Sequence, residues 1–345
     1  MRPEQLALVG GIAFGLSAFV TWRLCQPGSR FQILDLPNTR SLHTRPTPRT
    51  GGIAIVTAIL MASAVAAIVY SDGASRLGWL GAAALLVAIT SYVDDRVQLS
   101  ALQRIVVHVI AACLVGYGGF VLDMSLLPGD GWLLAPALVF PITALYLVWM
   151  VNLYNFMDGM DGFAGGMTLF GFGTLTILGV LAGHGPFAAL SLIIAAAAGG
   201  FLLFNFPPAR IFMGDTGSST LGLLAGGFSI WGAQENIFPF WVALLVFSPF
   251  IVDSTVTLLR RMLRRETLWE AHRTHYYQRL VQLGWGHGRT VLWEYALMAA
   301  CAASALLAAG ALSLGQWTVI GLWFAAYPLL GFAVHWLESV KRNPR

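Results

Sequence analysis

Charge is what this chain has least of. Only 10% of its 345 residues are Asp, Glu, Lys or Arg, where soluble domains carry about 25%. So few charged side chains cannot cover a water-facing surface, which excludes an ordinary soluble domain. Cysteine is scarce too. Cys25, Cys113 and Cys301 lie in or beside apolar runs with no C-x-x-C spacing, which excludes a disulfide framework and a thiolate metal site. No cleavage pattern marks a signal peptide, so the first apolar run reads as a retained helix. No pair of broken half-helices recurs in the two halves, which weighs against transporters built from inverted repeats.

What the chain does have is apolar length. It is 57% hydrophobic, with a mean hydropathy of +0.72. Runs of about 20 apolar residues span a bilayer as helices. Eleven such runs fall near 5–25, 51–70, 78–93, 101–121, 131–150, 164–183, 187–204, 217–233, 238–259, 290–311 and 316–337. The expectation is a single all-α transmembrane domain over 1–345, a polytopic integral membrane protein embedded in the lipid bilayer. Arg23, Arg30, Arg40, Arg45 and Arg49 flank one loop, and Arg260 to Arg289 crowd another, with Lys341, Arg342 and Arg345 at the end. By the positive-inside rule these are cytoplasmic, with the N-terminus outside and the C-terminus inside. The net charge of +4 is therefore a topology signal, and no nucleic-acid partner follows from it.

Alternating the spans puts five polar segments on the cytoplasmic face, in loops near 26–50, 94–100, 152–163, 205–216 and 260–289. A transporter of an anionic solute, the alternative reading, places its carboxylates near the midplane instead. Asp94 and Asp95 end the third run. One serves as a base or metal ligand and the other supports it, or both form a solvated helix end. Arg104, nine residues after Asp95, is a cation suited to phosphate. In "NLYNFMDGMDGFAGG" (152–166), Asn152, Asn155, Asp158 and Asp161 recur every third residue, so a helix aligns their oxygens on one stripe, or the segment is a polar interfacial loop capping the sixth run.

"IFMGDTGSS" sets Asp215 between glycines before the eighth run, with Asp215 or Ser218 as the N-cap. The P-loop lysine and spacing are absent. A glycine-rich helix start is still an anion site, and an aspartate there suits Mg²⁺ bound with phosphate. His272, His275 and Arg279 at i, i+3 and i+7 share a face of a short helix and form a cationic or hydrogen-bonding phosphate clamp, or a plain amphipathic segment at the membrane surface. Zinc is disfavoured, because no third ligand stands nearby. Asp253 has no assigned role. Gly222-x-x-x-Gly226 allows close helix packing, within one chain or across a homodimer.

In this order the segments D-D, N-x-x-N-x-x-D-G-x-D-G, F-x-G-D-x-G-S and H-x-x-H resemble the polyprenyl-phosphate N-acetylhexosamine-1-phosphate transferases, relatives of the phospho-N-acetylmuramoyl-pentapeptide transferase. The resemblance covers roughly 35–285. The loop "HTRPTPRTGG", which carries His43 and Arg49, looks most like the O-antigen-initiating branch. The resemblance implies a multi-pass enzyme of the bacterial inner membrane. Its partners would be undecaprenyl phosphate and a UDP-activated N-acetylated amino sugar (GlcNAc, QuiNAc or FucNAc), with Mg²⁺, or Mn²⁺ in its place, as cofactor. It makes Asp94, Asp95, Asp158 and Asp161 catalytic and Asp215 a metal ligand with Asn155 beside it. Asn152, Asn155, Arg104, His43, Arg49, His272, His275 and Arg279 then bind substrate. Arg104 stands where many members have lysine, and H-x-x-H replaces the longer histidine run of the peptidoglycan enzyme.

Overall fold

The computed structural model describes residues 3–29, 32–37, 46–69, 74–129, 133–267 and 272–342. Each of the eleven apolar runs lies on a helix or a bent helix pair. In chain order these are α1 (Pro3–Cys25), α2 (Gly51–Val69), α3 (Ala74–Val97), α4 (Ala101–Tyr117), α5 (Pro136–Met157), α6 (Phe163–Leu181), α7 (Gly185–Asn205) and α8 (Asp215–Gln234). Then come α9 (Phe240–Val246), α10 (Ser248–Leu263), the short α11 (Tyr276–Leu280), α12 (Gly286–Ala309) and α13 (Ser313–Arg342). Among the described residues, the strands are β1 (Leu34–Asp35) and β2 (Thr47–Pro48), a small antiparallel ribbon.

Among the described residues, eight helices are long and apolar enough to cross a membrane, or nine if the bent α9–α10 pair is one span. The architecture is that of an all-α polytopic membrane protein. Two of the eleven runs fall short, each for a physical reason. Helix α4 has 17 residues, and α8 is diluted by Gly, Ser and Thr. Helix α8 has no need to be greasy, because every residue from Thr216 to Ala233 is buried by protein. Its hydroxyls bond back into the helix, Thr220 Oγ1 to Thr216 O and Ser229 Oγ to Ala225 O, both at 2.7 Å.

Neighbours reach α8 through glycine. A Cβ on Gly52 at the start of α2 would lie 2.2 Å from Gly217 N, and one on Gly222 would lie 2.4 Å from Met150 O of α5. The glycine pair at 222 and 226 therefore packs within the chain, against Met150 and Leu147.

The ninth run is broken by 78° between α9 and α10. Pro249 has no N–H to give Leu245 O, four residues back. Ser248 Oγ donates to that carbonyl at 2.6 Å.

Because its obstacle is backbone, Gly222→Ala should destabilise the protein by about 1–3 kcal/mol. Gly173→Ala, which meets nothing within 4 Å, should be neutral or stabilising. Thermal unfolding in detergent separates the two, and equal midpoints would refute the close α5–α8 contact.

Candidate active site

Three chain segments bring acids to one end of the bundle, and a fourth brings Arg49. Asp94 and Asp95 close α3, and adjacent helical residues diverge by about 100°, so the two go to different partners. Asp94 Oδ1 accepts from Leu99 N at 2.6 Å, and its Oδ2 lies 3.6 Å from Arg104 Nη1. Asp95 Oδ2 accepts from Thr216 Oγ1 at 3.1 Å and Thr216 N at 3.4 Å. Arg49 approaches Asp95 from the β2–α2 turn. Its Nη2 donates to Asp95 O at 2.5 Å, and its Nε lies 3.6 Å from Oδ1. Both carboxylates are buried.

The turn that carries Arg49 is tied to the segment before α8. Phe212 N donates to Pro48 O, Gly51 N to Phe212 O and Gly52 N to Met213 O. The two chains cross so closely that a Cβ on Gly214 would sit 2.2 Å from Arg49 O, and Gly214 has a φ of 72°. Only glycine accepts both conditions. Gly214, rather than Asp215 or Ser218, is the N-cap, and Asp215 is the first helical residue. From the last turn of α5, Asn155 bonds the Asp215 carboxylate and donates from Nδ2 to Ser218 Oγ at 3.2 Å.

Asp158 caps the C-terminus of α5 and accepts from the Gly214 N–H. Loss of hydration, then the charges of Asp215 and Asp95, push its carboxyl up to about 8, against the lowering effect of that N–H. Desolvation likewise raises Asp215, opposed first by the Asn155 hydrogen bond.

Such a donor set fits Mg²⁺. It offers hard oxygens, and Mg²⁺ usually takes one or two carboxylates and completes its shell with water and phosphate. Asp95 Oδ1 is buried without a hydrogen-bond partner, and burial, then the charges of Asp215 and Asp95, raise Asp158. A divalent cation would relieve both. Among the described residues, no three His, Cys, Asp or Glu side chains are grouped to hold a metal unaided.

Several expected site residues sit differently. Helix α5 ends at Met157, so the stripe of four does not continue through Asp161. That carboxylate instead accepts from Ala209 N and meets His287 Nδ1, both at 3.0 Å. Asn152 bonds Val148 O and His108. His272, His275 and Arg279 do not share a helical face, because α11 starts at Tyr276 with His275 as its N-cap. Arg279 grips Glu338 with two bonds of 2.7 Å. Burial, then His275 and Arg261, lower His272 to about 4, so at neutral pH it offers hydrogen bonds rather than charge. His43 lies outside the described residues.

The comparisons with known proteins bear on this arrangement. The profile of glycosyl transferase family 4 matches residues 76–233. A probable undecaprenyl-phosphate N-acetylglucosaminyl 1-phosphate transferase of Bacillus subtilis (strain 168) is 30% identical over 270 residues, 76% of this chain and 73% of that protein. The chain belongs to glycosyl transferase family 4. The decaprenyl-phosphate N-acetylglucosaminephosphotransferase of Mycolicibacterium smegmatis is 32% identical over 324 residues, 85% of this chain and 79% of that one. A phospho-N-acetylmuramoyl-pentapeptide-transferase of Moorella thermoacetica is 35% identical over 171 residues, 49% of this chain and 52% of that protein.

In this glycosyl transferase some supporting residues carried no sequence signal. Thr216 holds Asp95, and Asn205 accepts from Gly162 N while donating to Ile211 O, joining two site loops. Their one hint was polarity at the ends of apolar runs.

Asp158 makes the site testable by pH. An unfolded aspartate titrates near 3.9, so between there and about 8 the folded, cation-free protein holds a proton that the unfolded chain releases. The stability this group contributes is full below about pH 4 and is lost as pH rises to about 8. Thermal midpoints in EDTA should therefore fall less steeply with pH in Asp158→Asn than in wild type. Identical slopes would mean that Asp158 is neither buried nor set beside its like-charged neighbours in the folded protein.

Proposed function

We propose that the protein transfers a sugar-1-phosphate from a UDP-activated N-acetylated amino sugar to undecaprenyl phosphate and releases UMP, as the first step of a cell-envelope polysaccharide such as O-antigen. The observation that carries this reading is the convergence of Asp94, Asp95, Asn155, Asp158 and Asp215 beside Arg49 and Arg104. The loops with most arginine favour a cytoplasmic site, an N-terminus outside and a bacterial inner-membrane location.

Both substrates are anions, so charge must be neutralised before they can meet. Arg104 and Arg49 lie beside carboxylates that hold them at the site entrance, where they can hold phosphate oxygens. Mg²⁺, or Mn²⁺, would be held by Asp215 with Asn155 beside it, and would supply charge stabilisation for the transferring phosphoryl group. A lipid phosphate has a second pKa of about 6, by analogy with phosphorylated side chains, and is already a competent nucleophile. Its oxygen attacks the β-phosphorus of the UDP-sugar in a single displacement, and the bond from that phosphorus to the UMP oxygen breaks. Asp94 or Asp95 assists any remaining deprotonation.

Asp215→Asn should lower Mg²⁺-dependent turnover of UDP-N-acetylglucosamine about a hundredfold or more, with folding in detergent retained. Near-wild-type turnover at saturating substrates would remove Asp215 from the metal site.

One phosphoanhydride replaces another, so the equilibrium constant should lie within about an order of magnitude of unity, and an active site accelerates both directions. Radiolabelled UMP should therefore exchange into UDP-sugar only when lipid is present. Rapid exchange without lipid would replace single displacement by a covalent phosphosugar-aspartate. No exchange under either condition, from folded protein, would refute the transferase reading.

A further inference from the structure

Asp253 is buried in α10 and takes no part in the chemistry above. Charged side chains on membrane-crossing helices are expensive and usually functional. Four donors converge on this one. Its Oδ1 accepts from Thr257 Oγ1 at 3.0 Å, Tyr276 N at 3.0 Å and His275 Nδ1 at 3.2 Å, and its Oδ2 accepts from Tyr277 N at 3.3 Å. Only Thr257 belongs to its own helix. The other three come from the start of α11, so one carboxylate fixes both that backbone and the imidazole beside it.

We propose that Asp253 is a positioning residue that sets His275 to hold the phosphate groups of the nucleotide-sugar, an inference that rests on the transferase reading. Carboxylate oxygens accept, so Nδ1 of His275 is the protonated nitrogen and Nε2 is left for a ligand. This is the arrangement by which a carboxylate fixes both tautomer and ring direction. The ring cannot swing. It is 2% exposed and stacks on His272 at 4.8 Å and on Tyr277 at 5.9 Å. Tyr277 in turn lies so close to Gly159 that a Cβ there would fall 2.3 Å from its Oη. Gly159 follows Asp158, so the histidine pair is carried to the border of the acidic cluster.

A double-mutant cycle with Asp253→Asn and His275→Gln tests this in the full-length detergent-purified protein. Asparagine keeps one acceptor oxygen for the α11 backbone but loses the charge and can turn an N–H toward Nδ1. Asp253→Asn alone should raise KM for UDP-N-acetylglucosamine about tenfold and leave KM for undecaprenyl phosphate unchanged; added to His275→Gln it should change donor KM by less than about twofold. A carboxylate that merely anchored α11 would do equal harm with or without His275, so equal losses in the two backgrounds would overturn the proposal. If Asp253→Asn does not fold, Asp253→Glu, which keeps the charge and displaces it by one methylene, enters the same cycle with the same two outcomes. Wild-type protein without UDP-sugar turnover would sink the transferase reading and this inference together. Active wild type with additive losses would sink the inference alone.

Discussion

The site depends on holding like charges together where little water reaches them. Asp95, Asp158 and Asp215 repel one another, and burial, then the charges of Asp215 and Asp95, push Asp158 up to about 8. The fold answers with fixed partners. Arg49 and Arg104 approach Asp95 and Asp94, the N–H groups of Gly214 and Thr216 donate to Asp158 and Asp95, and the positive end of α8 meets Asp215. The backbone donors among these supports sit on rigid elements, so little of their ordering remains to be done when an anionic substrate arrives.

That demand explains the composition of α8. Its first turn must deliver N–H groups and an aspartate to a place already occupied by the β2–α2 turn and the end of α5. Gly214 and Gly217 allow the crossing, and Gly222 lets α5 approach so that Asn155 reaches Asp215 and Ser218. A leucine-rich helix would look more like a membrane span but would hold its neighbours further away. The same constraint that builds the site thus hides α8 from a hydropathy criterion.

Sequence patterns showed the helices and the acidic positions because both are local. Apolar run length marks a helix, and Asp94, Asp95, Asp158 and Asp215 stand out against a chain with so few charges. Partners across the fold left no such trace. The bond from Asp95 to Thr216 joins residues 121 apart, and nothing in either neighbourhood announces it. Periodicity failed where helices end. The three-residue spacing of Asn155, Asp158 and Asp161 suggested one continuous stripe, yet α5 stops at Met157 and Asp161 turns to Ala209 and His287. Likewise the spacing of His272, His275 and Arg279 implied a helical face, where the chain is still extended at His275.

The break between α9 and α10 shows how a local defect can organise distant residues. Pro249 forbids a straight helix, and Ser248 repairs the orphaned Leu245 carbonyl, so the bend is a stable feature of the chain. Beyond it, α10 presents both Asp253 and Arg261, two turns apart. Arg261 Nε meets Glu266 Oε2 at 2.9 Å and its Nη2 donates to Thr267 O at 2.6 Å, while Asp253 holds the chain at 275–277. One helix therefore anchors the segment that carries the two histidines on both sides. A single redirected helix thus holds both Thr267 and the chain at 275–277, whose Tyr277 lies against Gly159 beside Asp158.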